Sequence, residues 1–361
     1  MEITGIIQSI KYEHKLSNTE YKEYNISELN KALENNSKFL LNVDKINKFA
    51  VSWWVSPKRT RSYPYARVYD TLAYAGKRIT IIPIYKDEGK DGDRDFLQWD
   101  TVSLMSLLGV NVIISYYERA DRKKRYNNKI TNQRFNVEHI SNEIKNLVSY
   151  QSDALHWNLE QVEDVTNLMQ KAVEAYKQIS SETKVIMHSE QKISEKIELL
   201  KEHKDNFMNL SRKLSQTAQN RERITIQPKE NINTGEKAKI TISNYLGGYY
   251  YFTADEARIS NDEGREIINL VEGKHSSNGK LPSLDDIKDG LIKMMLFSNL
   301  NKVKVDDEEY EIKPILKLTG AKSGKLSLKQ SNILCILKKE SEINKFSIEY
   351  IGGIADATVD S

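Results

Sequence analysis

Residues 249–275 constrain the fold more than any other stretch of the chain. An aromatic run, Tyr249-Tyr250-Tyr251-Phe252, leads a predicted strand to Asp255. A polar turn through Asn261, Asp262, Glu263 and Gly264 follows, and then an apolar strand, Ile267 to Val271, runs into Glu272-Gly273-Lys274. Side chains alternate along a strand, so Glu272 and Lys274 point to one face. A hairpin brings Asp255 beside them. Two carboxylates and one ammonium at a strand end can hold a divalent metal and a water next to a phosphate.

The next segment, Leu281-Pro-Ser-Leu-Asp-Asp-Ile-Lys-Asp-Gly-Leu, reads as a helix start. Ser283 is a good N-cap, Pro282 precedes it, and Asp285 and Asp286 fall in the first turn, where the helix dipole favours negative charge. Ile287, Leu291, Met294 and Met295 form a stripe that can pack on a sheet. Lys288 and Lys293 fall on the polar face; Lys288 reads as an exposed helix lysine, with DNA contact as the alternative.

Asp255, then Glu272-x-Lys274, then this helix resemble the PD-(D/E)xK nuclease superfamily, in particular its type II restriction endonucleases. The resemblance covers roughly residues 240–320, with Ala254-Asp255 standing where Pro-Asp is usual. It implies an α/β chain of the mixed α+β kind, with a restriction-endonuclease-like core and a large helical and α/β N-terminal region. Asp255, Glu272 and Lys274 would be catalytic, with Mg²⁺ held by Asp255 and Glu272. The substrate would be double-stranded DNA, cut at a specific site, with a cognate DNA methyltransferase as genetic partner and a homodimer as one assembly. The alternatives are a structure-specific repair or phage-defence nuclease, and a non-catalytic DNA-binding protein on a nuclease-like fold.

The bulk properties agree with a globular protein handling an anionic partner. The chain has 361 residues, 39% hydrophobic and 29% charged, with a formal net charge of +3. No apolar run approaches the ~18 residues of a membrane span. The N-terminal Met-Glu-Ile-Thr-Gly-Ile-Ile does not read as a signal peptide. One cysteine, Cys335, excludes a disulfide within the chain and a cysteine zinc site, and points to a reducing cytoplasm. No Gly-x-x-x-x-Gly-Lys-[Ser/Thr] occurs, which argues against an ATP-driven translocase.

The sequence divides into residues 1–135 as an α/β DNA-binding region, 136–225 as a long-helix region without proline or glycine over most of its length, and 236–361 as the nuclease core. Strands are predicted at 67–69, 78–85, 110–117, 237–243, 249–255, 265–274 and 310–319, and helices at 96–108 and 284–299. Two basic knots can neutralise phosphates: Lys58, Arg59 and Arg61 beside Trp53, Trp54 and Tyr63, and Arg119, Arg122, Lys123, Lys124 and Arg125 after a strand. For each, a solvated loop is the competing reading.

A second constellation competes with the first. Lys86 ends a buried-looking strand, Asp70 lies on the one before it, and Asp87, Glu88, Asp91, Asp93 and Asp95 crowd the following loop. It reads first as an acidic surface loop, next as a DNA-positioning or base-reading element, with a second metal site or the true one as the sharper alternative; Ile84 stands where an acid two residues before Lys86 is needed. His275 adjoins the main motif on the opposite strand face. His156 and Trp157, in the cluster Gln151 to Asn158, read as core residues more readily than as base readers.

Overall fold

The computed structural model describes residues 1–17, 20–58, 62–189, 191, 193, 236–244, 249–262 and 265–352. The chain forms two units, Met1–Asn18 with Ser215–Ser361, and Thr19–Leu214 between them. The boundary expected at 135/136 is therefore not a division: both flanking segments belong to the inner unit. The expected helical stretch from 194 to 225 lies outside the described residues.

The first strand, β1 (Glu2–Ile7), belongs to the outer unit and buries Ile3 and Ile7 on its inward face. The inner unit then builds its own layers. β2 (Glu23–Asn25), α1 (Leu29–Asn35), β3 (Lys38–Asn42), β4 (Lys48–Trp53), α2 (Ser62–Leu72) and β5 (Arg78–Pro83) come first. A small hairpin of β6 (Tyr85–Asp87) and β7 (Arg94–Phe96) precedes α3 (Trp99–Leu107) and β8 (Asn111–Ser115). A second hairpin, β9 (Tyr117–Arg122) with β10 (Ile130–Phe135), leads to α4 (Val137–Ser149), α5 (Ala154–Glu163) and α6 (Val165–Thr183).

The main sheet of this unit has the order β2-β3-β4-β5-β8, with β4, β5 and β8 mutually parallel. Parallel neighbours need a crossover, and that requirement makes α2 a helix where a strand was expected at 67–69. Tyr65, Val68, Tyr69 and Leu72 are all buried at helical spacing, and Pro64 sits in the first turn, where a proline is tolerated. β8 is the edge strand, and α5 covers its free groups. The Trp157 ring N–H donates to Val112 O at 2.7 Å, Asn158 Oδ1 accepts from Val112 N at 2.6 Å, and Asn158 Nδ2 donates to Val110 O at 3.0 Å. Trp157 and Asn158 thus protect a sheet edge, while His156 is exposed on its cap partner Asp153.

The outer unit resumes with β11 (Glu236–Asn244), β12 (Tyr249–Asp262), β13 (Arg265–Ser276), α7 (Leu284–Phe297), β14 (Asn301–Val305), β15 (Glu308–Gly320), α8 (Leu328–Asn344) and β16 (Ser347–Gly352). β11, β12 and β13 form an antiparallel meander. β13 then pairs in parallel with β15, and β15 in parallel with β16, across α7 and α8. β1 lies between β11 and β14, and because β15 pairs with both β14 and β13, six strands close into a ring. The expected strand, strand, helix and strand are present in that order, each of these strands longer than its sequence pattern; of the expected turn, Asn261 and Asp262 belong to β12, and Glu263 and Gly264 lie outside the described residues. No helix among the described residues is long and apolar enough to cross a membrane.

Two side chains of α8 hold the segment after β1 in place. The buried Glu340 carboxylate accepts from Tyr12 Oη at 2.7 Å and from the backbone N–H groups of Lys15 and Leu16 at 3.0 and 2.7 Å. Asn344 Oδ1 accepts from Glu13 N at 2.8 Å, and Asn344 Nδ2 returns a bond to Glu13 O.

Candidate active site

The site forms where two strands part. The β12–β13 ladder runs from Asp262–Arg265 to Glu256–Val271 and ends there. Asp255 and Glu272 are the next residues on each strand. β12 also bulges at this point: Ala254 and Ala257 face Ala238 and Glu236 of β11, three steps against two. A bulge re-aims side chains and terminates pairing, and bulges concentrate beside active sites. Gly273 N–H, no longer in the ladder, donates to Asp255 Oδ2 at 2.7 Å.

Glu272 is the centre of the cluster, 2% exposed. Its Oε1 is 2.9 Å from Lys274 Nζ and its Oε2 2.7 Å from Lys293 Nζ. Lys274 also contacts the Asp289 carboxylate, and Lys293 donates to Thr253 O at 3.1 Å. Asp255, Glu272 and Lys274 are thus brought together. Asp289 and Lys293 join them from α7, four residues apart and so on one helix face.

Local sequence explains the placement of α7. Ser283 caps it, accepting from Asp286 N at 3.1 Å. Ile287, Leu291 and Met294 are fully buried, and the helix packs on β13 and β15. Gly290 permits the close approach: a Cβ there would lie 2.7 Å from Leu316 Cδ1 and 3.4 Å from Lys274 Cε. Lys288 is buried at 3% exposure, which corrects its reading as an exposed lysine.

The electrostatics follow from burial and crowding. Burial, reinforced by the negative charge of Glu272, raises the Asp255 carboxyl to about 6. Burial also opposes ionisation of Glu272, but Lys274 and Lys293 overcome it and hold that carboxyl below its usual range. Lys274 is desolvated, yet Glu272 and Asp289 hold its ammonium well above the ordinary lysine value. Burial raises Asp289 against the pull of Lys274. The geometry therefore offers two adjacent carboxylates, a strand carbonyl at Thr253, and a firmly protonated lysine. His275 takes a separate role, with Nδ1 2.8 Å from Thr319 Oγ1.

The second constellation does not assemble as the sequence suggested. Asp70 is on α2, buried, and paired with Lys38. Lys86 pairs with Glu88 at 2.7 Å, and Glu88 with Lys129 at 3.2 Å. Asp87 is 1% exposed and saturated: it accepts from Tyr85 Oη at 2.6 Å and Gly89 N at 2.8 Å, and lies 2.8 Å from His188 Nδ1. Asp95 accepts from Ser56 Oγ at 2.6 Å. These acids order the β6–β7 hairpin, and Asp87 is no surface residue. Among the described residues no group of three or more His, Cys, Asp or Glu side chains is disposed to hold a metal.

The basic knots fare differently. Arg59 and Arg61 lie outside the described residues, while Lys58 Nζ is 4.0 Å from Asp95 Oδ1. Arg122, Lys124 and Arg125 are exposed at the tip of the β9–β10 hairpin. Lys123 Nζ lies 4.9 Å from the centre of the exposed Tyr126 ring. Comparison with known proteins adds no relative: no family model matches the chain, and none of the curated proteins or solved structures matches it.

The raised Asp255 value gives a direct expectation. In metal-free protein its carboxyl, followed by carbon NMR, should titrate near pH 6, and Glu272→Gln should lower that midpoint by removing the neighbouring charge. Because the folded value lies above the ordinary 3.8, this group favours the fold most below pH 3.8, and the contribution is lost as pH rises through about 6. A midpoint at the ordinary carboxylate value would show that Asp255 is neither buried nor coupled to Glu272.

Proposed function

We propose that the chain is a Mg²⁺-dependent endonuclease that cuts double-stranded DNA at specific sites, of the restriction-modification type. One observation carries the reading. Asp255, Glu272 and Lys274 converge where the β12–β13 ladder ends, and α7 and the parallel strand β15 follow. The order of strand, strand, helix and strand through β12, β13, α7 and β15 supports the PD-(D/E)xK reading. Such an enzyme acts on DNA in the cytoplasm, alongside a methyltransferase that protects the host's own sites.

The donor set suits a hard cation. Two carboxylates and a carbonyl are the oxygen ligands Mg²⁺ takes, with water and substrate phosphate completing its shell. Asp255 and Glu272 would hold it, and Thr253 O lies beside them. Bound there, the ion supplies charge neutralisation at the phosphoryl oxygens and lowers the pKa of a bound water.

The remaining work belongs to the side chains. Lys274 is clamped between Glu272 and Asp289, so it serves as a fixed positive charge aimed at the developing charge on the phosphate. Asp289 is the positioning residue that keeps it there. Glu272, held ionised, cannot drift to a neutral form that would release either lysine. The Asp255 carboxyl, raised to about 6, changes protonation near neutral pH, so metal binding competes with its proton.

Phosphate contacts are assigned to Lys58, Arg59, Arg61, Arg122, Lys123, Lys124 and Arg125. The β9–β10 tip is the better supported of the two groups, because Arg122, Lys124 and Arg125 are exposed and the half-buried Lys123 stands beside the Tyr126 ring. Contacts of this kind position DNA without reading its sequence.

Two outcomes test this reading. Glu272→Ala and Lys274→Ala should each slow single-turnover plasmid cleavage by about 100-fold or more while leaving DNA binding largely intact. Near-wild-type cutting by either variant would refute the assignment. Mapping the ends then separates site-specific cutting from structure-specific nicking.

Salt dependence tests the hairpin. Each phosphate contact contributes about 0.9 log units of affinity per tenfold change in salt. Replacing Arg122, Lys123 and Lys124 by alanine should flatten that slope and weaken cognate and random DNA about equally. An unchanged slope and affinity would reduce the knot to a solvated loop.

A further inference from the structure

We propose that Lys293 is a built-in counter-cation that occupies the metal seat and must be displaced by the divalent ion. This rests on the metal reading of the site given above. The ammonium of Lys293 sits between Glu272 Oε2 at 2.7 Å and Thr253 O at 3.1 Å. Those two oxygens, with the carboxylate of Asp255 close by, are the hard donors a divalent cation needs. A buried carboxylate without a cation would be costly, so an internal ammonium stabilises the metal-free state.

Two lysines share Glu272, each on a different oxygen. Lys274 has a second carboxylate, Asp289, as well as Glu272 Oε1. Lys293 bridges Glu272 Oε2 and the Thr253 carbonyl, and its charge also acts on Asp255 and Asp289. A divalent ion arriving at Glu272 repels both ammoniums, and Lys293 is the one seated on the two oxygens the ion would take, Glu272 Oε2 and Thr253 O. Its side chain is 21% exposed, and its long stem lets the head swing into water while the stem stays packed.

The displaced ammonium then needs a new anion. A DNA phosphate drawn to the same ion is the group of suitable charge, so metal and DNA assist one another's binding. Linkage makes that assistance reciprocal. Lys293 is accordingly a positioning residue: it weakens metal binding to the free protein and returns part of that cost when DNA is present.

Mn²⁺ binding to the DNA-free protein, followed by electron paramagnetic resonance of the unbound ion, tests this without reference to cleavage. Lys293→Met and Lys293→Gln should each bind Mn²⁺ about tenfold more tightly than wild type, within the usual range of site-to-site coupling. Lys293→Arg, which keeps the cation, should stay near wild type, and Glu272→Gln should lose the site. Two neutral variants guard against a folding defect in one, and circular dichroism melts establish that each is folded. If wild type binds Mn²⁺ through Glu272 and both folded neutral variants bind it no better, the counter-cation proposal is overturned and the metal site stands. If no protein in the series binds Mn²⁺, the metal reading itself falls, and the proposal with it.

Discussion

Two neighbouring strands stop pairing at Glu256 and Val271, and the candidate chemistry depends on that parting. While strands pair, their backbone groups are consumed and opposed side chains are crowded together. Past the last rung, Gly273 N–H is free to bind Asp255, and Glu272 can reach two lysines instead of a cross-strand neighbour. The bulge in β12 at the same place ends the register. β13 nevertheless stays anchored on its other side, because its parallel ladder with β15 continues to Ser276. Glu272 is therefore mounted on a strand held by one edge and open at the other.

Much of this was legible from the residues. The hairpin, the apolar strand ending in Glu272-Gly273-Lys274, and α7 with its Ser283 cap follow from alternation, turn chemistry and capping. What was not legible depended on partners far away in the chain. β1 joins β11 more than two hundred residues later, and no local pattern announces a ring closed that way. Arg67 to Tyr69 looks strand-like in isolation, and only the parallel pairing of β4 with β5 makes it helical. Lys293 was assigned to a polar face because lysine usually faces water, and Asp289 was not singled out. Their spacing of four was the available signal, since it places them on one side of α7, and that side meets buried charges on β13.

The inner unit repeats the order of the outer one without its chemistry. An antiparallel pair, β3 and β4, precedes two parallel crossovers through α2 to β5 and through α3 to β8. β4, the strand in the place of β13, carries no acid: it reads Lys48-Phe-Ala-Val-Ser-Trp53. The acids that crowd residues 87–95 bond to Tyr85, Gly89, His188 and Ser56 instead, and they set the shape of a hairpin. The outer unit differs from the inner one in its parted ladder with acids on both strands.

The central claim is that Asp255 and Glu272 together bind the divalent ion. Anomalous diffraction from crystals of the protein grown with Mn²⁺ and a DNA duplex measures this directly. The account predicts an ion within about 2–2.5 Å of a carboxylate oxygen from each of Asp255 and Glu272. An ion held instead by Glu88 and Asp95, with none at Asp255 and Glu272, would contradict it.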